Sequence, residues 1–564
     1  MASFFKVHDG DLPALDARRR TRRRIAVIAV SSIVLVSVVI AAVVGTAAHK
    51  RNNNEEQSTG LSSSIKAVCD VTLHPDLCYE RLGTQAGGKT SPQDLFKLSI
   101  EIALSELQQA SQKFNTTGPY TANDTMTNAA LATCADLLEM SLDHLNSSLS
   151  VPTTSLTQAF DDLETWLSTA GTAQETCLDG FIDVNENLRT ELTALLKNST
   201  ELTSNSLAIV TWISSVADSV NFGSHRRLLG GDAGVMPSWV ERVDRHLLES
   251  ADLRKKADLV VAKDGSGKYK TISAALKAVP DKSTKTTVIY VKKGVYTEQV
   301  QVTKSKWNVV FVGDGMDATI VSGSKNVVDG TPTFDTAPFA VMGKGLVARD
   351  MGFRNTAGAA KHQAVAMRSS GDFSVFYRCK FDAFQDTLYT HANRQFYREC
   401  LIIGTVDFIF GNSAAVFQNC NIQPRLPMSG QRNTITAQGK SDPNQNTGLS
   451  FQNCTVTPFG NLGSTETYLG RPWKDYSTTV FMQSFLGSLI NPKGWLPWTG
   501  NSAPSTIFYA EFQNSGPGSS TKNRVNWKGL RTITASIANK FTVNSFISGS
   551  QWITAAGVPF KGGL

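Results

Sequence analysis

The sequence lacks the patterns that mark metal-binding and nucleic-acid-binding proteins. It contains no CxxC and no HxxxH spacing, which argues against a zinc site, and it has no dense acidic cluster of the kind that binds calcium. Six arginines lie in one cluster within residues 18–24, and the rest of the chain is nearly balanced in charge. We therefore expect no nucleic-acid partner, and no metal or other cofactor.

The longest stretch without a charged residue is residues 25–48, which is rich in Val, Ile and Ala. About 24 apolar residues are enough to cross a bilayer, and the basic segment 1–24 before them favours a cytoplasmic N-terminus. We expect a signal-anchor. A cleaved signal peptide is the alternative, although its apolar core is usually shorter. Either way, the chain after His49 enters the secretory route and contacts the membrane before processing.

Cysteines and glycosylation sequons fit an exported protein. Each half of the chain has an even number of cysteines, which predicts separate disulfide sets in an oxidising compartment. The first half contains Cys69, Cys78, Cys134 and Cys177, and the second contains Cys379, Cys400, Cys420 and Cys454. Asn-x-Ser/Thr sequons occur at Asn115, Asn123, Asn146, Asn198 and Asn453.

After a polar linker at residues 49–64, residues 65–217 have the apolar periodicity of helices. Ser91-Pro92-Gln93-Asp94 is typical of a helix start, with a Ser cap, Pro at the first position and an acid in the first turn. Apolar residues then recur at steps of three and four. Similar patterns cover Ala129–Leu145, Leu156–Leu167 and Leu202–Val220. Four such helices predict an antiparallel four-helix bundle, without a cluster of catalytic side chains.

Residues 218–256 form a second linker, and residues 257–564 have the pattern of short strands separated by turns. An aromatic-polar-Cys motif recurs at a period of about 20 residues, which is typical of a stacked solenoid. The copies of this motif end at Cys379, Cys400, Cys420 and Cys454. A right-handed parallel β-helix fits this repeat better than a sandwich. The 21-residue step predicts that Asp386 lies beside Asp407 and Cys379 beside Cys400 on neighbouring coils.

Several segments of the second half occur together in one family. They are Gly294–Glu298, Gln363–Ala366, Gln385–Leu388, Asp407–Gly411 and Leu469–Trp473. With Trp166-Leu167 and Glu175–Phe181 in the first half, the chain resembles plant pectin methylesterases that carry an N-terminal inhibitor-like pro-region. The resemblance covers residues 65–564.

The same resemblance extends to the second linker. Arg226-Arg227-Leu228-Leu229 resembles the processing motif of this family, although a dibasic pair can also be only a solvated charge pair. Arg245-His246-Leu247-Leu248 has His where many relatives have Arg in a second such motif. We therefore expect a protease to cut at the first motif.

The resemblance implies a set of site residues. Asp407 is expected as the nucleophile, Asp386 as proton donor and acceptor, Gln385 and Gln363 as oxyanion donors, and Arg471 as the residue that orients Asp407. Expected substrate contacts are Thr333, Gln363, Phe384, Tyr389, Phe408, Arg471, Trp473 and Trp498. The alternative for the amides is a structural ladder, and for the aromatics simple packing.

We therefore expect hydrolysis of galacturonate methyl esters in pectin, in the cell wall, with the helical region as an intramolecular inhibitor. The alternatives are a β-helix enzyme that cuts the polygalacturonate chain, and an inhibitor protein with an inactive β-helix. The expected disulfides are Cys69–Cys78, Cys134–Cys177, Cys379–Cys400 and Cys420–Cys454, with free buried thiols as the alternative for the third pair.

Overall fold

The computed structural model describes residues 63–116, 124–182, 184–221 and 253–564. The predicted membrane segment 25–48 and the processing motif Arg226–Leu229 lie outside these ranges, as do Asn123 and the side chain of Asn115. Among the described helices, none combines the length and the apolar character needed to cross a bilayer.

The first part of the structure, which we call the helical unit (residues 63–221), consists of helices that pack on one apolar core. Four of the helices are long, as the sequence predicts, and two short helices precede them. In chain order the helices are α1 Ser63–Cys69, α2 Pro75–Gln85, α3 Pro92–Thr116, α4 Thr125–Ser150, α5 Phe160–Asp179 and α6 Glu186–Asn221.

Local chemistry explains where these helices begin. Ser91 Oγ accepts a hydrogen bond from the Asp94 main-chain N–H at 3.1 Å and donates one to the Asp94 carboxylate at 2.6 Å, which confirms the predicted cap. Asp124 caps α4 in the same way. Disulfides Cys69–Cys78 and Cys134–Cys177 confirm two predicted pairs, and the second of them fastens α4 to α5.

The second part, the β-helix unit (residues 253–564), is built from three sheets whose strands all pair in parallel, which confirms the predicted parallel β-helix. The strands are numbered in chain order. Sheet A contains β1 Leu259–Val261, β2 Thr287–Val291, β5 Val309–Val312, β8 Val347–Arg349, β11 Ser374–Tyr377, β14 Arg394–Arg398, β17 Ala414–Gln418, β20 Gly448–Gln452, β23 Thr478–Met482, β25 Phe508–Phe512 and β26 Leu530–Thr532.

Sheets B and C complete each coil. Sheet B contains β3 Gly294–Thr297, β6 Thr319–Gly323, β9 Gly352–Asn355, β12 Lys380–Asp382, β15 Leu401–Gly404, β18 Asn421–Pro424, β21 Thr455–Val456 and β24 Phe485–Leu486. Sheet C contains β4 Val300–Val302, β7 Phe339–Val341, β10 Met367–Ser369, β13 Leu388–Thr390, β16 Ile409–Gly411, β19 Asn433–Gln438 and β22 Thr467–Gly470.

The repeated aromatic-polar-Cys motif forms the same turn in each coil, where the chain passes from sheet A to sheet B. An aromatic residue of the sheet A strand points inward, and these rings stack with centroids 4.4–4.9 Å apart. A polar residue then takes a left-handed conformation and turns the chain. The turning residues are Arg378, Glu399, Asn419 and Asn453. The cysteine follows and points into the interior of the β-helix.

The four interior cysteines are free thiols, so the predicted pairs Cys379–Cys400 and Cys420–Cys454 are wrong. The register that suggested them is nevertheless correct, because the residues that follow the four cysteines pair with one another on neighbouring strands. Side chains in register lie about 4.8 Å apart on parallel strands, whereas a disulfide needs Cβ atoms about 3.8 Å apart. Each thiol instead donates to a main-chain oxygen of the preceding coil, as Cys400 does to Phe376 at 3.3 Å.

The C-terminal end departs from the strand pattern predicted for residues 257–564. The last strand, β26, ends at Thr532, and short helices α8 Ala535–Asn539 and α9 Val543–Ile547 follow. Trp552 and neighbouring apolar residues cover part of the outer face of sheet A. One short helix, α7 Ile272–Lys277, lies near the start of this unit, and Thr271 caps it. The sequons at Asn146 and Asn453 are exposed, and Asn198 is half-buried.

Candidate active site

Asp386 and Asp407 lie directly before two neighbouring strands of sheet C. Strands β13 and β16 pair with Leu388 opposite Ile409, so the two aspartates occupy equivalent positions on adjacent coils, as the 21-residue step predicts. Both have a left-handed backbone, with φ of 62° and 51°. Non-glycine residues adopt this conformation at a cost, and it often occurs at functional sites.

The carboxylate of Asp407 is held from two sides. The Arg471 guanidinium donates Nε to Oδ1 at 2.8 Å and Nη2 to Oδ2 at 2.6 Å, the forked geometry that suits a carboxylate. The Thr434 hydroxyl donates to Oδ1 at 2.6 Å and accepts the Asp407 main-chain N–H at 2.8 Å. Asp407 is 4% exposed, and the orientation of its carboxylate is therefore fixed.

Asp386 has a different environment. It is 8% exposed, and within the described part of the chain no hydrogen bond reaches its carboxyl group. Burial raises the pKa of Asp386 well above its usual value, the neighbouring Asp407 raises this pKa further, and Arg471 opposes both effects. Asp386 is thus pushed toward its protonated form beside the carboxylate that Arg471 holds, an arrangement that would allow one group to act as acid and the other as nucleophile.

The raised pKa of Asp386 predicts a pH-dependent cost to stability. A carboxyl whose pKa is raised in the folded state stabilises the fold below its unfolded pKa of 3.8 and loses this contribution as the pH rises through the folded pKa. We expect Asp386→Asn to stabilise the protein by about 1–3 kcal/mol at pH 8 and to change it little at pH 4. Thermal or denaturant unfolding at the two pH values measures the difference.

Asp475→Asn is a suitable control for this measurement, because Asp475 is an exposed carboxylate of the same unit. Surface substitutions of this kind change stability by less than about 0.5 kcal/mol. An equal effect of Asp386→Asn at pH 4 and pH 8 would show that the Asp386 carboxyl does not carry the pH-dependent cost.

The two aspartates line a cavity of about 690 Å³. Most of the side chains predicted as substrate contacts or oxyanion donors line it too, namely Thr333, Gln363, Gln385, Tyr389, Arg471, Trp473 and Trp498. Trp498 lies against the Arg471 guanidinium, whose Cζ is 4.2 Å from the ring centroid. Gly439 leaves room for Trp473, since a Cβ at Gly439 would lie 2.8 Å from its ring. The family resemblance therefore identified most of the residues that the β-helix unit contributes to the cavity.

Two predicted contacts lie elsewhere. Phe408 is 0% exposed and packs in the interior of the β-helix, so its prediction as a substrate contact is wrong. It lies between Asp407 and the start of β16 at Ile409, and its side chain belongs to the interior core, as that of Ile409 does. Phe384 does not line the cavity and instead lies 4.0 Å from the Arg425 guanidinium. Its role as a substrate contact stays a prediction.

The sequence reasoning missed several residues of the site. Phe410 stacks on Tyr389 with ring centroids 4.2 Å apart, and it lies two positions after the misassigned Phe408 on the cavity face. Phe334 lines the cavity one position after Thr333. Thr434 contacts Asp407 from the next coil, and only the strand register could have indicated this contact.

Comparison with known proteins agrees with this geometry. Residues 258–550 match the family described as Pectinesterase, and residues 63–209 match the family described as Plant invertase/pectin methylesterase inhibitor. The chain belongs to the pectinesterase family.

Plant relatives match this chain over most of its length. The chain is 56% identical over 505 residues to probable pectinesterase/pectinesterase inhibitor 46 of Arabidopsis thaliana, with 89% of this chain and 88% of the relative covered. It is 50% identical to pectinesterase 3 of Phaseolus vulgaris, with 89% and 87% covered. The solved pectin methylesterase from carrot is 53% identical, with a TM-score of 0.54, and covers 55% of this chain and 98% of its own.

The chain is thus a pectin methylesterase with an inhibitor-like N-terminal domain, and in the structure this domain closes the pectinesterase cavity. The start of α4, the end of α5 and the residues that follow α5 form a roof over the aspartates. Cys134 and Cys177 both belong to this roof, so their disulfide ties together the two helices that cover the cavity. The core of the helical unit is continuous with Phe334, Tyr389 and Phe410 of the cavity floor.

Polar contacts extend this closure along the sheet. On α5, Thr172 accepts a hydrogen bond from Asn412 at 2.8 Å, and Thr176 lies 3.0 Å from His391 Nε2. Burial lowers the pKa of His391 well below its usual value, and Arg368 and His144 lower it further, so this histidine is neutral in the closed state. Ion pairs join Asp162 to Arg394 and both Glu139 and Asp143 to Lys304, each at 2.7 Å.

Proposed function

We propose that Asp407 attacks the methyl ester carbonyl of a galacturonate unit in pectin and that Asp386 transfers the protons. The observation that supports this proposal is the pair itself: a carboxylate fixed by Arg471 beside a buried carboxyl whose pKa is raised, both facing the same cavity. A fixed, ionised carboxylate is a suitable nucleophile, and a neighbouring protonated carboxyl is a suitable acid.

In the first half of the reaction, an oxygen of Asp407 forms a bond to the ester carbon and gives a tetrahedral intermediate. The bond from that carbon to the methoxy oxygen then breaks, and the Asp386 proton moves to this oxygen, so that methanol leaves. The product is an anhydride between Asp407 and the sugar. In the second half, Asp386 takes a proton from water, the hydroxide attacks the anhydride, and the Asp407 carboxylate is released with the galacturonate acid.

The negative oxygen of the tetrahedral intermediate needs hydrogen-bond donors. Gln363 and Gln385 line the cavity on two neighbouring coils, which are joined here by the hydrogen bond from the Ala364 main-chain N–H to the Gln385 carbonyl at 3.3 Å. We assign their side-chain amides to this oxygen, because neutral donors stabilise a developing charge without pairing permanently with the carboxylates of the substrate. Trp473, Trp498 and Tyr389 offer ring faces to the sugars, and Thr333 offers a hydroxyl.

We further propose that the helical unit inhibits the enzyme until the two units separate. The roof over Asp386 and Asp407 supports this, because a pectin chain could not reach these residues while α4 and α5 cover them. Cleavage at Arg226–Leu229 by a processing protease would remove the tether. Disulfides Cys69–Cys78 and Cys134–Cys177 support export through an oxidising compartment, and we propose membrane attachment through residues 25–48 before release into the cell wall.

A single experiment tests the reaction class. The full chain is expressed with a site-specific protease sequence placed within residues 222–252, cut, and assayed at nanomolar concentration so that the helical unit dissociates. We expect methanol release from methyl-esterified pectin without shortening of the polymer. Chain shortening without methanol would identify a polygalacturonate-cleaving enzyme instead, and no change in either product would indicate an inactive β-helix.

A further inference from the structure

Lys474 is a cation of the β-helix unit that the proposed mechanism does not use. It follows Trp473, and its Nζ lies 5.5 Å from the Trp473 ring centroid. Two carboxylates of α5 bind it, Glu175 at 2.7 Å and Asp179 at 2.9 Å. Its side chain is 20% exposed, and among the described residues no other group forms an ion pair or hydrogen bond with Nζ.

The position of Lys474 connects it to the catalytic cavity. Lys474, Trp473, Tyr389 and Asp179 surround a small gap between the two units. Three of these residues, Trp473, Tyr389 and Asp179, also line the larger cavity that contains the catalytic aspartates. Lys474 therefore lies beside the catalytic cavity, in the turn between β22 and β23 that also carries Trp473.

Glu175 and Asp179, which bind Lys474, belong to the helical unit, and this unit must dissociate before pectin can enter the cavity. Once the helical unit dissociates, Lys474 loses both carboxylate partners, and its ammonium group becomes available to another anion. The substrate class supplies a replacement, because each galacturonate unit that has lost its methyl ester carries a carboxylate. Asp179 is the one charged side chain that the described roof contributes to the catalytic cavity, so the roof places a carboxylate where a polyuronate would place one.

We propose that Lys474 binds the free carboxylate of a de-esterified galacturonate unit in the open enzyme, and that Glu175 and Asp179 mimic this carboxylate in the closed one. The proposal rests on the proposed function, since it takes pectin as the substrate. It adds a binding position that distinguishes free from esterified units next to the reacting ester. The enzyme would then bind partly de-esterified pectin better than fully esterified pectin.

The test uses the full chain with a protease site within residues 222–252, cut and separated, as wild type and as Lys474→Met. Calorimetric titration with unesterified oligogalacturonate measures the affinity directly. We expect the dissociation constant to rise about tenfold in Lys474→Met, the size of one lost charge-assisted hydrogen bond. Methanol release should show a similar rise in KM on partly de-esterified pectin and less than a twofold change on fully methyl-esterified pectin. Lys474→Arg should restore most of the affinity.

Lys304→Met is the matched control. Lys304 also binds two carboxylates of the helical unit, but its side chain is 41% exposed and it does not line the cavity. The control should weaken the closed state and leave oligogalacturonate affinity unchanged. Equal affinity of Lys474→Met and wild type for oligogalacturonate would overturn the proposal and leave Lys474 as a docking contact alone. Failure of the wild type to release methanol would instead overturn the proposed function, because the titration does not depend on turnover.

Discussion

Asp407→Asn is expected to lower methanol release by the cut enzyme at least about 10³-fold, because the loss of a covalent nucleophile removes the first chemical step. Asparagine has nearly the same shape as aspartate, and its amide oxygen can still accept a hydrogen bond from Arg471. The cavity should therefore keep its form. Initial rates on methyl-esterified pectin give kcat, and titration with oligogalacturonate should show an affinity within about threefold of wild type.

Asp382→Asn is the matched control for this prediction. Asp382 lies in β12, binds Arg425 at 2.9 Å and does not line the cavity. Its substitution should leave turnover within about twofold of wild type. If Asp407→Asn kept more than about a tenth of wild-type turnover, Asp407 would not be the nucleophile, and Asp386 would be the next residue to test.

The aspartate pair could be predicted from the sequence because the β-helix is periodic. A repeat in the sequence becomes a fixed distance in the structure when strands stack in parallel. For this reason the 21-residue step places Asp386 beside Asp407. The same rule failed for Cys379 and Cys400, which are in register but unbonded. Register fixes which residues are neighbours, whereas a disulfide also depends on the approach of the Cβ atoms.

The start of strand β16 decides which aromatic residue after Asp407 faces the cavity. Phe408 and Phe410 both follow Asp407, but Phe408 lies in the interior core and Phe410 lines the cavity. A prediction from the motif alone could not separate them, because residues two positions apart share a face in a regular strand, whereas Phe408 and Ile409 both lie in the core and Phe410 faces the cavity. The strand register in the structure resolves it.

The contacts through which the helical unit closes the cavity could not be predicted from the sequence. Its contacts join residues far apart in the chain, such as Thr176 and His391, with 215 positions between them, and Lys474 and Glu175, with 299. The sequence period of the β-helix cannot predict such a pair, because one residue belongs to the helical unit and the other to the β-helix unit. The family resemblance indicated that the helical region inhibits, and only the three-dimensional arrangement shows which side chains cover the aspartates.

Thr176→Arg in the uncut chain is expected to raise methanol release about 10²-fold or more. Thr176 is buried at the interface against His391 and lines both the small gap and the catalytic cavity. An arginine is too large for this position, and its charge would lie near Lys474 and the neutral His391. A tether gives an effective concentration on the order of 1 mM, so a helical unit of micromolar affinity suppresses activity about 10³-fold. Loss of most of that affinity restores most of the activity.

Thr193→Arg is the control for this substitution. Thr193 is exposed on α6, so its replacement makes the same change in size and charge away from the interface. It should leave the uncut chain as inactive as wild type. Far-UV circular dichroism and mapping of the Cys134–Cys177 disulfide establish that the helical unit of Thr176→Arg remains folded. A folded Thr176→Arg chain with wild-type activity would show that contact between α5 and the cavity does not limit turnover, and that the roof opens by itself before cleavage.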